Sequence, residues 1–212
     1  MRSDPLILAF DTSAAHCAAA LMQGDTLLAQ RHDDMPRGQA EHLLPLLEHV
    51  LATGGAGWRD LDMLAVGVGP GNFTGIRISV AAARGLALGL KRPAIGVPVF
   101  DARAEGLPRP LYVIEDARRD EVYLQHFAPD PGVPQLLSLH DAALQVGDAT
   151  LTGSGAHLLG GARVLAPRHG LAESIARVAR RRAGAENPAP APLYIRPADA
   201  APSAAVPVTI LP

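Results

Sequence analysis

Between Val66 and Leu90 the chain reads V-G-V-G-P-G-N-F-T-G-I-R-I-S-V-A-A-A-R-G-L-A-L-G-L, and few folds accommodate such a stretch. The first residues form a short apolar run, the pattern of a buried strand. Gly69-Pro70-Gly71 breaks that run as a turn. Thr74 is then a suitable N-cap for a helix over Ile76–Leu90. That helix has two charges, Arg77 and Arg84, seven residues apart and therefore on one narrow stripe. A helix on the outside of a domain ordinarily has one apolar stripe and one polar face. This one is apolar almost all round and needs cover on two sides. Its own sheet supplies one, and a neighbouring helix or another protein must supply the other.

A second helix shows the same surplus. Over Gln39–Ala52, at 100° per residue, Leu43, Leu44, Leu46, Leu47, Val50 and Leu51 span an arc of roughly 160°. Glu41, Pro45, Glu48 and His49 fall outside it, and Pro45 removes a hydrogen bond in mid-helix. Two such helices side by side make half of a four-helix bundle, and a partner chain would make the other half.

Around these helices the chain reads as α/β. Leu6–Phe10, Ala18–Met22 and Thr26–Arg31 are strands, with a hairpin at Gly24-Asp25. Met63–Val68 and Ala94–Val97 are further strands, and a short helix covers Phe100–Glu105. After the linker Leu107–Pro110 the order repeats in reduced form. Strands at Tyr112–Ile114, Glu121–Phe127 and Gln135–Leu139 precede a short helix capped by Asp141. Strands at Thr150–Thr152 and Arg163–Leu165 and a helix over Leu171–Arg182 follow. In that last helix Leu171, Ile175, Val178 and Ala179 point inward, and Arg177, Arg180, Arg181 and Arg182 outward. The expectation is a duplicated α/β protein with lobes at 1–106 and 107–187 and a tail at 188–212. Seven of the 19 prolines fall in that tail, which reads as linker apart from Leu193-Tyr194-Ile195-Arg196, a patch expected to dock on the body.

Few residues advertise chemistry. Asp11, after the first strand, either caps a turn or faces a phosphate or metal in a cleft at the strand's carboxyl end. The turn Gly69–Gly75 leads into a helix N-terminus, which suits an anion, but it matches neither a Walker A loop nor G-x-G-x-x-G, so a structural role fits as well. His42 and His49 are seven apart, too far to share one metal, because a helical pair needs i and i+4 and residue 46 is leucine. Asp116, Arg118 and Glu121 are either salt-bridged turn residues or cleft lining. Cys17, the one cysteine, reads as a packed strand residue. A formal net charge of −2 gives no reason to expect strong non-specific binding to nucleic acid. The first residues read as neither a signal peptide nor a membrane span, so the expected compartment is the cytoplasm. These residues favour a binding or scaffold subunit over a self-sufficient enzyme.

Gly69–Ile78, G-P-G-N-F-T-G-I-R-I, closely resembles the G-P-G-S-F-T-G-[LIV]-R-[IV] signature of the bacterial TsaB (YeaZ) family. The opening I-L-A-F-D-T-S, the helix with E-H-L-L-P-L-L, the D-A-R-x-x-E-V-Y segment at Asp116–Tyr123 and the late L-Y-I-R resemble that family in the same order. The resemblance implies the ASKHA fold of actin, heat-shock chaperones and sugar kinases, two ribonuclease-H-like domains with the second reduced. It implies a non-catalytic subunit that supports its paralogue TsaD in making N6-threonylcarbamoyladenosine on tRNA, joined by the ATPase TsaE. TsaD carries a two-histidine metal motif on the helix matching Gln39–Ala52; with Leu46 four residues after His42, no metal is expected here. The implied partners are TsaD, TsaE and, for the isolated protein, a second copy, with tRNA reached only through the complex and no membrane. The interface is assigned to Leu43, Leu47, Val50, Ile76, Val80 and Ala83. Asp11, Gly69, Gly71, Asn72 and Gly75 would form a vestigial nucleotide or anion site of weak affinity, with no other cofactor. The alternative is an independent phosphotransferase of the same fold using Asp11 and the glycine turn. A metallopeptidase lacks a ligand set.

Overall fold

The structure, a computed structural model, describes residues 4–160, 163–184 and 187–196. Two five-stranded sheets form two lobes. The first contains β1 (Leu6–Asp11), β2 (His16–Gln23), β3 (Thr26–Asp34), β4 (Met63–Gly67) and β5 (Ala94–Val97), in the order β3-β2-β1-β4-β5. The second contains β6 (Leu111–Arg118), β7 (Glu121–Phe127), β8 (Gln135–Ser138), β9 (Thr150–Thr152) and β10 (Arg163–Val164), in the order β10-β9-β6-β7-β8. The orders are the same when each sheet is counted from its own first strand. In both sheets the first three strands pair antiparallel and the last two join in parallel.

Alternation along β1 explains the layering, because successive side chains point to opposite faces. Leu8 and Phe10 face α1 (Gln39–Thr53) and α2 (Phe73–Leu90), while Ile7 and Ala9 face α3 (Val99–Ala104) and α5 (Leu171–Arg182). In the second sheet Ile114 and Leu124 face α4 (Leu139–Val146), and Leu111, Val113 and Phe127 face α3. The helices α3 and α5 exchange between lobes. From α3, Phe100 and Ala104 enter the second lobe's core, whereas Val99 and Ala102 stay with the first. From the second half of the chain, α5 places Leu171, Ile175 and Ala179 on the first sheet.

Ion pairs reinforce this exchange. Arg182 reaches Asp101 at 2.5 Å, Arg181 pairs with Glu105, and Arg180 pairs with Asp25. The arginines expected to point outward on α5 thus tie it to the first lobe.

Several boundaries move for local reasons. The N-cap of α2 is Asn72, whose side chain accepts from the Gly75 N–H at 2.9 Å, so the helix starts at Phe73 and Thr74 lies within its first turn. The helix expected to be capped by Asp141 is capped by Ser138, which accepts from the Asp141 N–H. Asp116–Arg118 continues β6 rather than forming a loop. The turn that follows holds Arg118, Arg119 and Asp120 at positive φ, a conformation costly for non-glycine residues. The tail patch docks as expected, and residues 197–212 lie outside the described residues.

Candidate functional site: an interlobe cleft and an uncovered helix face

A cleft of about 1040 Å³ opens between the lobes at the ends of β1, β4 and β6. Its first-lobe floor arises where the end of β1 presses on the start of α2. A Cβ at Gly75 would fall on the Thr12 carbonyl oxygen, and one at Gly71 on that of Ser13. The backbone there is in direct contact: the Asn72 N–H donates to the Ser13 carbonyl at 2.6 Å, and the Thr12 hydroxyl to the Gly75 carbonyl at 2.6 Å. Glycines at these places admit the neighbouring backbone. Gly69 has φ +96 and lies against Ile76 and the Leu193 carbonyl. The N–H groups of Asn72 and Gly75 are already bonded within the protein.

Asp11 is fully buried. Its Oδ1 accepts from the Ser13 N–H and Ser13 hydroxyl, both at 2.8 Å, and pairs with His16 Nε2 at 2.8 Å. Its Oδ2 has no partner and lies against Gly67. Burial pushes this carboxyl up, but the hydrogen bond and charge of His16, with the bonds from Ser13, outweigh it and hold the group below its ordinary value. His16 and Ser13, rather than Asp11, line the cleft.

The second lobe repeats the arrangement with different chemistry. Glu115 on β6 receives Arg103 Nε at 2.9 Å and the Ser154 hydroxyl at 2.7 Å. Gly153, at φ +107, would drive a Cβ onto the Ile114 carbonyl oxygen. Asp116 accepts from the Arg118 N–H at 2.7 Å, and Glu121 pairs with Arg196 at 2.6 Å. Asp116 and Arg118 also line the cleft, so both readings of that charged group apply to them. The carboxylates of Asp11, Glu115, Asp116 and Glu121 all have partners in the protein.

Cys17 is buried, and its thiol is pushed up to about 11 by burial and by the nearby Asp33 and Asp11 charges, so it stays protonated at neutral pH. His42 pairs with Asp33 at 2.7 Å. Among the described residues no group of three His, Cys, Asp or Glu side chains is arranged to hold a metal.

The assigned interface residues need correction. Leu43, Leu47, Val50, Ile76, Val80 and Ala83 are all buried, none more than 4% exposed, in the core shared with β1, β2 and β4. They offer nothing to a partner because their arcs face this chain's own sheet. The surplus lies on the opposite arcs. On α2, Ala81, Gly85, Leu88 and Gly89 are exposed, Leu88 at 82%, and Ile78 and Ala82 are half-buried. A Cβ at Gly85 or Gly89 would meet nothing within 4 Å. On α1, Leu44 is 47% exposed. By length and hydropathy alone α2 would also suit a membrane span, yet its inner arc is packed on a sheet.

Sequence reasoning missed His16, Arg103 and Glu115. For His16 a signal existed: a histidine five residues beyond Asp11, at the start of the returning strand, is placed to meet it. For Arg103 and Glu115 none existed, because they come from different lobes.

A family model described as TsaD, tRNA N6-adenosine threonylcarbamoyltransferase, matches residues 34–130. The chain is 38% identical over 130 residues to the tRNA threonylcarbamoyladenosine biosynthesis protein TsaB of Escherichia coli K12, covering 58% of this chain and 55% of that protein. It thus spans about half the length of the curated relatives it matches. A Pseudomonas aeruginosa crystal structure, described as an uncharacterized protein with similarity to peptidase YEAZ, superposes with a TM-score of 0.75 at 28% identity. That match covers 91% of this chain and all of the other. The chain is thus similar to TsaB proteins in sequence over about half its length and to a YeaZ-like structure in fold over most of it. The wider fold is of the ASKHA type. Component A of the (R)-2-hydroxyglutaryl-CoA dehydratase of Acidaminococcus fermentans shares it, with a TM-score of 0.53 at 10% identity over 84% of this chain and 98% of that one. The G-P-G-N-F-T-G turn is where β1 and α2 touch backbone to backbone.

Proposed function

We propose that this chain is a non-catalytic scaffold subunit in the synthesis of N6-threonylcarbamoyladenosine on tRNA, and that it supports a TsaD-type transferase in the cytoplasm. The observation that carries this reading is the uncovered arc of α2 from Ile78 to Gly89, with Leu88 82% exposed. Small residues at 81, 82, 85 and 89 allow another helix to approach closely, and Leu88 and Leu44 provide apolar anchors. A TsaD-type paralogue of the same fold offers a matching helix pair, and a second copy of this chain offers one when the paralogue is absent. A TsaE-type ATPase joins the pair, and tRNA is held by the assembly. The names of the curated relatives support the pathway, and the closed carboxylate network of the cleft supports the absence of a transferase site in this chain.

The cleft also gives the phosphotransferase reading one specific support, since it lies where proteins of this fold open between lobes. Against it stands Asp11, which has no exposed surface and is bound by His16 and Ser13. Reconstituting the tRNA modification from purified TsaD- and TsaE-type proteins, with and without this chain, tests the proposal. Modification should require the chain and survive Asp11→Asn in any sample that remains folded. Modification that proceeds equally without the chain overturns the scaffold role. Turnover of ATP by the chain alone in the presence of magnesium, abolished in a folded Asp11→Asn sample, replaces it with the phosphotransferase.

A further inference from the structure

The segment Leu193–Arg196 lies across the mouth of the cleft and touches both lobes. The Leu193 N–H donates to the Val68 carbonyl at 2.8 Å, just beyond β4. The Tyr194 ring stacks on Phe73 at 5.1 Å, and its hydroxyl accepts from Arg77 Nε at 2.8 Å. Those three contacts belong to the first lobe. Ile195 packs on the second-lobe cluster around Phe100 and Phe127. Arg196 donates to the Ala117 carbonyl at 3.0 Å and to Glu121 at 2.6 Å, on the β6–β7 hairpin. All four residues form part of the cleft wall.

We infer that Leu193–Arg196 is a releasable strap that gates the interlobe cleft: docked, it closes one wall, and detached, it admits solvent and solutes to the floor at His16. The lobes do not depend on it, because α3 already joins the two cores, with Val99 and Ala102 buried in the first and Phe100 and Ala104 in the second. The strap's own hold is lighter. It is held by one backbone–backbone hydrogen bond and by side-chain bonds of Tyr194 and Arg196, and Tyr194 is 44% exposed. Arg196 Nε is buried with no partner, so the docked state leaves a donor unsatisfied that release would return to water. Segments with few buried contacts open locally at a fraction of the free energy of global unfolding. Arg77 is part of the latch. While it bonds Tyr194 it is occupied, and an anionic solute entering the cleft would compete for it. This inference concerns motion within one chain and is independent of the assembly role.

The test uses the full chain and reads two things: hydrogen exchange of the strap and carbethoxylation of His16 by diethyl pyrocarbonate, located by mass spectrometry. His16 is 7% exposed and lines the cleft but touches no strap residue in the contacts described above. Tyr194→Ala and Arg196→Ala should each raise strap exchange and raise the His16 modification rate about fivefold or more, with His42 unchanged. Tyr194→Phe, which keeps the stack and loses the hydroxyl, should give a smaller rise. Faster strap exchange at an unchanged His16 rate would overturn the inference, as would no change in either readout. Exchange across β1 and β4 reports whether a variant is folded. If both alanine variants unfold, the strap is part of the core and the inference fails.

Discussion

The two lobes share a strand order and differ in what covers it. In the first, the helix after the third strand has 15 residues and the helix after the fourth has 18. In the second, the corresponding pieces are the eight-residue α4 and a single turn at Ala156–Leu158. The connection from fourth to first strand is nevertheless the same, a glycine-rich turn pressed onto the end of the first strand, with a buried acid beneath it. Duplication preserved the joint and allowed the outer layer to shrink on one side only. The long helices of the first lobe therefore exceed what their own sheet needs, and the excess is the surface assigned to a partner.

The joint gives the largest expected effect. Gly75→Ala sets a Cβ on a backbone carbonyl that cannot move without displacing β1, so a loss of about 3 kcal/mol or more is expected from urea unfolding. In the second lobe Gly155→Ala meets the Asp116 nitrogen at 3.0 Å and should cost clearly less. Equal losses would show that the two joints are no different in tightness. The two faces of the first-lobe helices come next. Leu47→Ala should cost about 2–5 kcal/mol, and Leu88→Ala within about 0.5 kcal/mol of nothing, in the same thermal or urea experiment. A large loss at Leu88 would mean that its arc is not free.

The buried acid sharpens the comparison through pH. The folded value of Asp11 is lowered, so its contribution is present at pH above its unfolded value and is lost as pH falls through the folded one. Asp11→Asn should cost about 1–3 kcal/mol near neutrality, and the gap to the parent should narrow on acidification below about pH 4. A gap that widens with acid would reverse the sign and contradict the assigned environment. The smallest effect belongs to the bridges that tie α5 to the first lobe. Arg182→Ala should cost about 1 kcal/mol or less, because the arginine is 37% exposed, and less still in high salt.

Much of this was legible in the residues. Alternation and turn signals locate the strands, and the Leu171–Arg182 helix matches its expected bounds to the residue, because its apolar positions recur at helical spacing. What periodicity could not supply was the identity of the cover. An arc of apolar residues on α1 and α2 announces a surplus, but it does not say which part the chain's own sheet consumes. The most regular positions, Leu43, Leu47, Val50, Ile76, Val80 and Ala83, were consumed, and the less regular remainder at Leu44, Ala81, Gly85 and Leu88 was left. From sequence Thr74 reads as the cap, because the competing Asn72 stands inside a glycine turn whose geometry depends on contact with β1. The arginines of α5 read as a solvated face because Asp25, Asp101 and Glu105 approach only after the lobes exchange helices.

The most direct test measures association of the purified chain with a TsaD-type partner by titration calorimetry, comparing the parent with Leu88→Arg. The account predicts that Leu88→Arg leaves the unfolding midpoint unchanged and abolishes measurable binding. Binding of the arginine variant at parental affinity would place the partner elsewhere and contradict the assignment of the α2 face.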